Sequence, residues 1–266
     1  MSETPCLIAL DTATEVVHLA LCQGERTWVR ALGGGAQASA SLLPGLQALL
    51  DEAGVPRSAL QAIAFGRGPG AFTGLRTACS VAQGLALGLG LPVLPLDTLA
   101  LVAESARQRS APLATQLSDH PATVVWVLQD ARMSEVYAQP WGWRPAQGWC
   151  ALAQPALWPA ARLTDTVLAR VTASPDAPSL GRVWACGAAL AAFPEQAQAL
   201  GAAGVGCVPE AVPEGAALAV LARQAWAHGL ACDAALALPL YVRDKVAQTT
   251  AERVADRAAA ALAERA

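Results

Sequence analysis

Residues 7–14, Leu7-Ile8-Ala9-Leu10-Asp11-Thr12-Ala13-Thr14, run from a short apolar strand into a polar turn with an aspartate at the corner. Two more strand-like runs follow, Val16 to Cys22 and Arg26 to Leu32, joined at Gln23-Gly24-Glu25 as a hairpin. From Ser41 to Ala53 the apolar spacing becomes helical, and Gly54 ends the helix. A strand from Gln61 to Gly66 leads through a glycine-rich loop to a helix over Phe72 to Leu89. Pro92 to Leu96 is a further strand, and Asp97 is placed to cap the helix after it. The order is βββαβαβα.

The second half repeats it. Thr123 to Leu128 ends in Asp130, Glu135 to Gln139 and Trp149 to Ala153 supply two more strands, and a helix is predicted around Leu157 to Arg170. Strand Val183 to Cys186, helix Ala188 to Leu200, strand Val205 to Val208 and helix Gly215 to Gly229 complete the unit. The fold class is therefore α/β: two tandem units of the actin-like, RNase H-like (ASKHA) kind around a degenerate nucleotide cleft. The expected domains are 1–107, 108–248 and a helical tail at 249–266, with Gln108 to Pro121 as the junction. Fold alone does not give function.

Composition narrows the classes. The chain has 266 residues, 54% hydrophobic, 5% aromatic and 15% charged, so its core rests on Ala, Leu and Val. Formal net charge is −3, and Lys245 is the only lysine. No Lys/Arg cluster offers phosphates a basic face, so any nucleic acid is expected to be held through a partner. Seven scattered cysteines without a CxxC pair read as reduced thiols of a cytoplasmic protein. Neither a signal peptide nor a membrane span is expected, since the apolar stretch from Leu75 to Leu96 carries Arg76 and Gln83 and ends in prolines.

ATPases of this fold approach phosphate with glycine-containing turns, because a side chain would keep the phosphate at a distance. Here the first turn, Asp11-Thr12-Ala13-Thr14-Glu15, has no glycine. The second, Asp130-Ala131-Arg132-Met133-Ser134-Glu135, carries Arg and Met where small residues would be needed, and Cys186-Gly187-Ala188-Ala189 keeps part of an adenosine-cradling turn. The cleft residues are thus Asp11, Thr12, Thr14, Asp130, Arg132, Glu135 and Gly187. Two readings of the aspartates stand: catalytic acids, or caps of strand–turn corners. His18, His120 and His228 lie far apart without metal-ligand spacing, and no GxSxG, Cys–His or P-loop signature is present. No catalytic or metal residue is assigned, and no cofactor.

The segment Gly66-Arg67-Gly68-Pro69-Gly70-Ala71-Phe72-Thr73-Gly74-Leu75-Arg76 opens a helix in which Gly74, Ala78, Ala82, Ala86 and Gly90 recur every fourth residue. A small-residue stripe lets another backbone approach, either this chain's own sheet or a helix of another subunit.

These residues resemble the TsaB (YeaZ) family. The resemblance rests on Asp11 to Glu15, on Phe65 to Arg76, on Val81 to Ala86, on Asp130 to Tyr137 and on Tyr241-Val242-Arg243-Asp244-Lys245-Val246-Ala247, and runs to about Gln248. It implies a non-catalytic scaffold subunit of the bacterial machinery for threonylcarbamoyladenosine (t6A) in tRNA. Family members are similar to the transferase TsaD without its histidine metal site. They form homodimers alone and heterodimers with TsaD over the same surface, and act with the ATPase TsaE on the adenosine beside the anticodon. A nucleotide at the complex interface is compatible with this. By analogy the interface uses the two helices named above, through Leu42, Leu46, Phe72, Thr73, Leu75, Arg76, Ala78, Ala82, Leu85, Ala86 and Leu89. The stretch Gly33 to Ser39 departs from the basic–histidine stretch of the family, and the tail after Gln248 is longer. The competing expectation is a weak ATPase or transferase using Asp11 and Asp130; a protease lacks a nucleophile with its base.

Overall fold

The computed structural model describes residues 5–35, 38–172 and 182–243. The tail at 249–266 and the motif residues Asp244 to Gln248 lie outside the described residues, as do Ala36 and Gln37. The first half consists of β1 (Cys6–Asp11), β2 (Val16–Gln23), β3 (Arg26–Gly33), α1 (Ala38–Ala53), β4 (Ala62–Gly68), α2 (Phe72–Leu89), β5 (Val93–Asp97) and α3 (Thr98–Arg109). The rest comprises α4 (Ala111–Asp119), β6 (Val124–Asp130), β7 (Glu135–Arg144), β8 (Gly148–Ala151), β9 (Ala156–Pro159), α5 (Leu163–Thr172), β10 (Val183–Cys186), α6 (Ala189–Ala192), α7 (Pro194–Ala202), β11 (Gly206–Val208) and α8 (Gly215–Ala227).

This is a mixed α/β protein with two sheets. The first has the order β3-β2-β1-β4-β5, and the second, read from its hairpin edge, has the same order as β8-β7-β6-β10-β11. Strand β1 pairs antiparallel with β2 and parallel with β4, and β6 likewise pairs antiparallel with β7 and parallel with β10. All six residues of β1 are buried, so both faces of the central strand meet apolar layers. Cys6, Ile8 and Leu10 face α1 and α2, while Leu7 and Ala9 face α3 and α8. The outer face of the second sheet is covered by α5, α6 and α7. Helices α3 and α8 thus lie between the sheets in a core drawn from both. Helix α8 follows the second sheet in sequence yet packs on β1, β2, β3 and β5 of the first.

Local departures from the sequence reading have physical causes. Leu157 to Pro159 is strand, not helix: β9 pairs with β7, Trp158 opposite Val136. Pro194 splits the helix expected from Ala188 into α6 and α7, since proline supplies no N–H to continue the ladder. The junction segment holds α4, whose first turn is capped by the Ser110 hydroxyl accepting the Leu113 N–H at 3.3 Å. Asp97 stands at the N-cap of α3 but caps nothing, because its carboxylate is bound by Arg67 Nε at 2.6 Å. Helix α2 ends at Gly90, whose φ of 67° is the left-handed conformation that closes helices.

Candidate functional site: the cleft between the sheets

Both sheets end their first strands at one cleft, with a cavity of about 420 Å³. The turn after β1 forms one wall. Asp11 is fully buried; its Oδ1 accepts the Ala13 N–H at 2.9 Å and its Oδ2 the Thr98 hydroxyl at 2.8 Å. Thr98 Oγ1 in turn accepts the Gly68 N–H at 3.1 Å. Burial pushes the Asp11 carboxyl above the ordinary carboxylate range, against the pull of those two hydrogen bonds and of His18. His18, half-buried on β2, is pushed down by burial, against the attraction of Asp11 and Glu214.

The glycine-rich segment is explained by this turn. A Cβ on Gly66 would fall inside the Asp11 carboxylate, and one on Gly74 inside the Thr12 carbonyl. A Cβ on Gly70 would lie 2.6 Å from both the Cβ and the carbonyl oxygen of Ala13. The first turn of α2 therefore seats directly on residues 11–13, and two hydrogen bonds fasten it: Thr12 Oγ1 to the Gly74 carbonyl at 2.6 Å and the Ala71 N–H to the Ala13 carbonyl at 2.9 Å. The Gly68–Pro69 peptide between them is cis.

The second wall repeats the first. Asp130 Oδ1 accepts the Arg132 N–H at 2.9 Å, the same residue-to-second-neighbour bond that Asp11 makes. Three successive residues with side chains, Arg132, Met133 and Ser134, have φ of 63°, 55° and 55°. Such left-handed positions cost roughly 1–2 kcal/mol each without glycine. The exposed Arg132 guanidinium reaches Glu15 across the cleft at 3.3 Å and Asp130 at 3.5 Å. Glu135 is bound by Arg243 Nη2 at 2.6 Å. Gly187, with φ 115°, has no room for a Cβ beside the Leu128 carbonyl.

Of the cleft residues read from the sequence, Thr14, Asp130 and Arg132 line the cavity, whereas Asp11, Thr12, Glu135 and Gly187 belong to the turns around it and are not part of its lining. The lining also holds His18, Pro69, Thr98, Gln129 and Tyr137, and Arg243 supports the second turn. Sequence reasoning assigned these no site role; for Arg243 the signal was present, as the last motif of the family resemblance.

The residues expected at a partner surface divide. Leu42, Leu46, Leu75, Ala78, Ala82 and Ala86 are buried in this chain's own core. The stripe of small residues lets α2 lie close on β1 and β4, so it is internal, and these side chains are removed from the interface expectation. Phe72 and Leu85 are half-buried, while Thr73, Arg76 and Leu89 are exposed. Leu43, 50% exposed, and Leu89 rim an apolar groove of about 230 Å³ between α1 and α2.

Among the described residues, no group of three or more His, Cys, Asp or Glu is placed to hold a metal ion. None of their helices is long and apolar enough to cross a membrane. Burial pushes the Cys22 thiol up to about 11 and the Cys186 thiol higher still, opposite to the activation a nucleophile needs.

Two sheets of repeated order, meeting at a cleft whose strand-end aspartates cap their own turns, define an α/β protein of nucleotide-binding-like architecture. Comparison with known proteins narrows this. Residues 35–142 match the family described as TsaD, tRNA N6-adenosine threonylcarbamoyltransferase. The protein named YeaZ from Pseudomonas aeruginosa superposes with a TM-score of 0.68 at 33% identity, covering 89% of this chain and 99% of that one. A second structure from that organism, described as uncharacterized with similarity to peptidase YEAZ, gives 0.69 at 32%, covering 90% and 100%. The tRNA threonylcarbamoyladenosine biosynthesis protein TsaB of Haemophilus influenzae is 39% identical over 132 residues, 49% of this chain and 51% of its own length. TsaB of Escherichia coli is 35% identical over 143 residues, 49% and 52%. The chain thus spans about half the length of these two relatives, and it belongs to the TsaB (YeaZ) family.

Proposed function

We propose that this chain is a non-catalytic scaffold subunit in the formation of t6A in tRNA, holding a TsaD-like transferase in its active arrangement. One observation carries the reading: both strand-end aspartates are committed to the N–H two residues on, and Asp11 also to Thr98. A phosphate would need those N–H groups free, and it would need small residues where Arg132 and Met133 stand. Asp11 is fully buried and does not line the cavity, which suits a structural corner better than a metal-bound or general-base role.

In this reading the chain self-associates when alone, and docks the transferase over the α1–α2 surface through Leu43, Leu89, Leu85, Thr73 and Arg76. Burial of the groove between them supplies the driving force. A TsaE-like ATPase joins that complex, tRNA is held only through it, and any nucleotide sits at its interface. The setting is the cytoplasm, away from membranes. Residues 1–107 and 108–248 are taken as the two actin-like domains, with α8 crossing back between them.

The test is size-exclusion chromatography with light scattering on the chain alone and mixed with the TsaD-like transferase of the same organism. A dimer that becomes a one-to-one complex supports the scaffold reading. A monomer indifferent to the transferase overturns it. ATP turnover by the isolated chain that vanishes in Asp11→Ala would instead favour the weak ATPase.

A further inference from the structure

The chain after α8 returns to the first sheet and then leaves it. Cys232 pairs with Val93 at the edge of β5, and Ala234 and Ala237 are buried against α2. The Ala237 carbonyl accepts from Cys79 Sγ at 3.0 Å and from Gln83 Nε2 at 3.0 Å. From there the chain passes over the loop before α2, where the Leu240 N–H donates to the Arg67 carbonyl at 2.7 Å. Tyr241 stacks on Phe72 with ring centroids 5.2 Å apart, and its hydroxyl accepts from Arg76 Nε at 3.1 Å. Two residues later the contacts belong to the other sheet. Arg243 Nη2 binds Glu135 at 2.6 Å and the Ala131 carbonyl at 2.9 Å, and Nη1 lies 2.9 Å from Met133 Sδ.

We propose that residues 237–243 form a strap across the mouth of the cleft, hinged on α2 and latched by Arg243 onto the β6–β7 turn, and that releasing the latch opens the cleft. The strap walls a cavity of about 200 Å³. This cavity and the cleft share Pro69, Gly70, Ala71, Ala131, Arg132 and Tyr137 as walls, so the strap lines a cavity that adjoins the cleft.

The two ends differ in strength. The α2 end has buried apolar side chains and three backbone carbonyl bonds, whereas the far end depends on one guanidinium. That guanidinium is 14% exposed and its carboxylate partner 32%, so the pair is only partly screened by water. The other bridge across the mouth, Arg132 with Glu15, is 73% and 77% exposed and holds little. Release therefore starts at Arg243.

Hydrogen–deuterium exchange on the full chain tests this, comparing wild type with Arg243→Ala and Glu135→Gln. Glu135→Gln keeps the side-chain volume and removes the charge at a half-exposed site, so its fold persists. The strap predicts exchange about tenfold faster in 130–137 and in the facing segments 12–18 and 66–72, with α1 and α5 unchanged, in both variants. Acceleration confined to 238–243 would overturn it, since the segment would then be a passive tail. So would uniform acceleration through α1 and α5, which reports global destabilisation, or a Glu135→Gln profile that matches wild type.

Discussion

Gly66 and Asp11 occupy adjacent central strands so closely that a Cβ on Gly66 would fall inside the Asp11 carboxylate. That carboxylate cannot retreat, because it holds the Ala13 N–H and the Thr98 hydroxyl in a fully buried position. Gly66→Ala should therefore lower stability by about 1–3 kcal/mol, the range for overpacking a closed site. Gly84→Ala in α2 is its counterpart: nothing lies within 4 Å of the added Cβ, and alanine should raise stability by about 0.5–1 kcal/mol through helix propensity. Urea unfolding of both variants checks the pair, and equal effects would refute the packing argument.

Much of this relationship was legible before any coordinates. The apolar run of β1, the hairpin turn at Gly24 and the every-fourth-residue spacing of small residues in α2 are local patterns, and the repeat of element order pointed to two sheets of like topology. What the sequence concealed is non-local. The spacing of Gly66, Gly70 and Gly74 signals a close approach, but only the fold shows that the approached backbone is residues 11–13. The stripe of Ala78, Ala82 and Ala86 reads equally as sheet contact or partner contact, because either neighbour demands small side chains. Arg243 pairs with Glu135 over a separation in sequence that no periodicity encodes. Leu157 to Pro159 reads as helix in the sequence because its partner strand β7 lies about twenty residues away.

Asp11 sets a pH dependence. Its carboxyl is raised above the ordinary value of 3.8, chiefly by burial, so the folded state holds the proton more tightly than the unfolded chain. Stability from this group is fully present below 3.8 and is lost as pH rises from there through the folded-state value. Relative to Asp11→Asn, the wild type should lose stability across that window and run parallel to it at higher pH. Parallel curves over the whole range would mean that the carboxyl is not perturbed.

Glu104 holds α3 to the second sheet. Its carboxylate is fully buried and accepts from Arg107 Nη2 at 2.7 Å, Arg107 Nε at 2.9 Å, Gln108 Nε2 at 2.8 Å and Trp149 Nε1 at 3.0 Å. Removing it leaves the partly buried Arg107 guanidinium and Trp149 indole N–H without this acceptor. Water can reach the guanidinium, so Glu104→Ala should cost about 1–3 kcal/mol, the range for leaving a polar group unsatisfied. The Trp149 fluorescence should change in the folded state as its hydrogen bond is lost. A loss under 1 kcal/mol would show that water replaces the carboxylate.

The two faces of α2 should respond differently to substitution. Ala82 is fully buried on β1 and β4, so Ala82→Leu forces three further carbons, a methine and its two methyl groups, into a filled layer. That should lower stability by about 1–3 kcal/mol while leaving the association state of the surviving folded fraction unchanged. Leu89 lies at the exposed end of the same helix on the rim of the groove shared with α1, across from Leu43. Leu89→Arg removes apolar surface from that rim and places a charge there, with little effect on folding because the site is open to water. If the groove is the docking surface, Leu89→Arg should weaken self-association or transferase binding by at least about tenfold, on the scale of losing one well-placed apolar contact at an interface. Sedimentation velocity over a concentration series separates the two effects, with thermal unfolding run beside it. An Ala82→Leu chain that folds normally but no longer associates would return the small-residue stripe to the interface. A Leu89→Arg chain that associates as wild type would remove the groove from it.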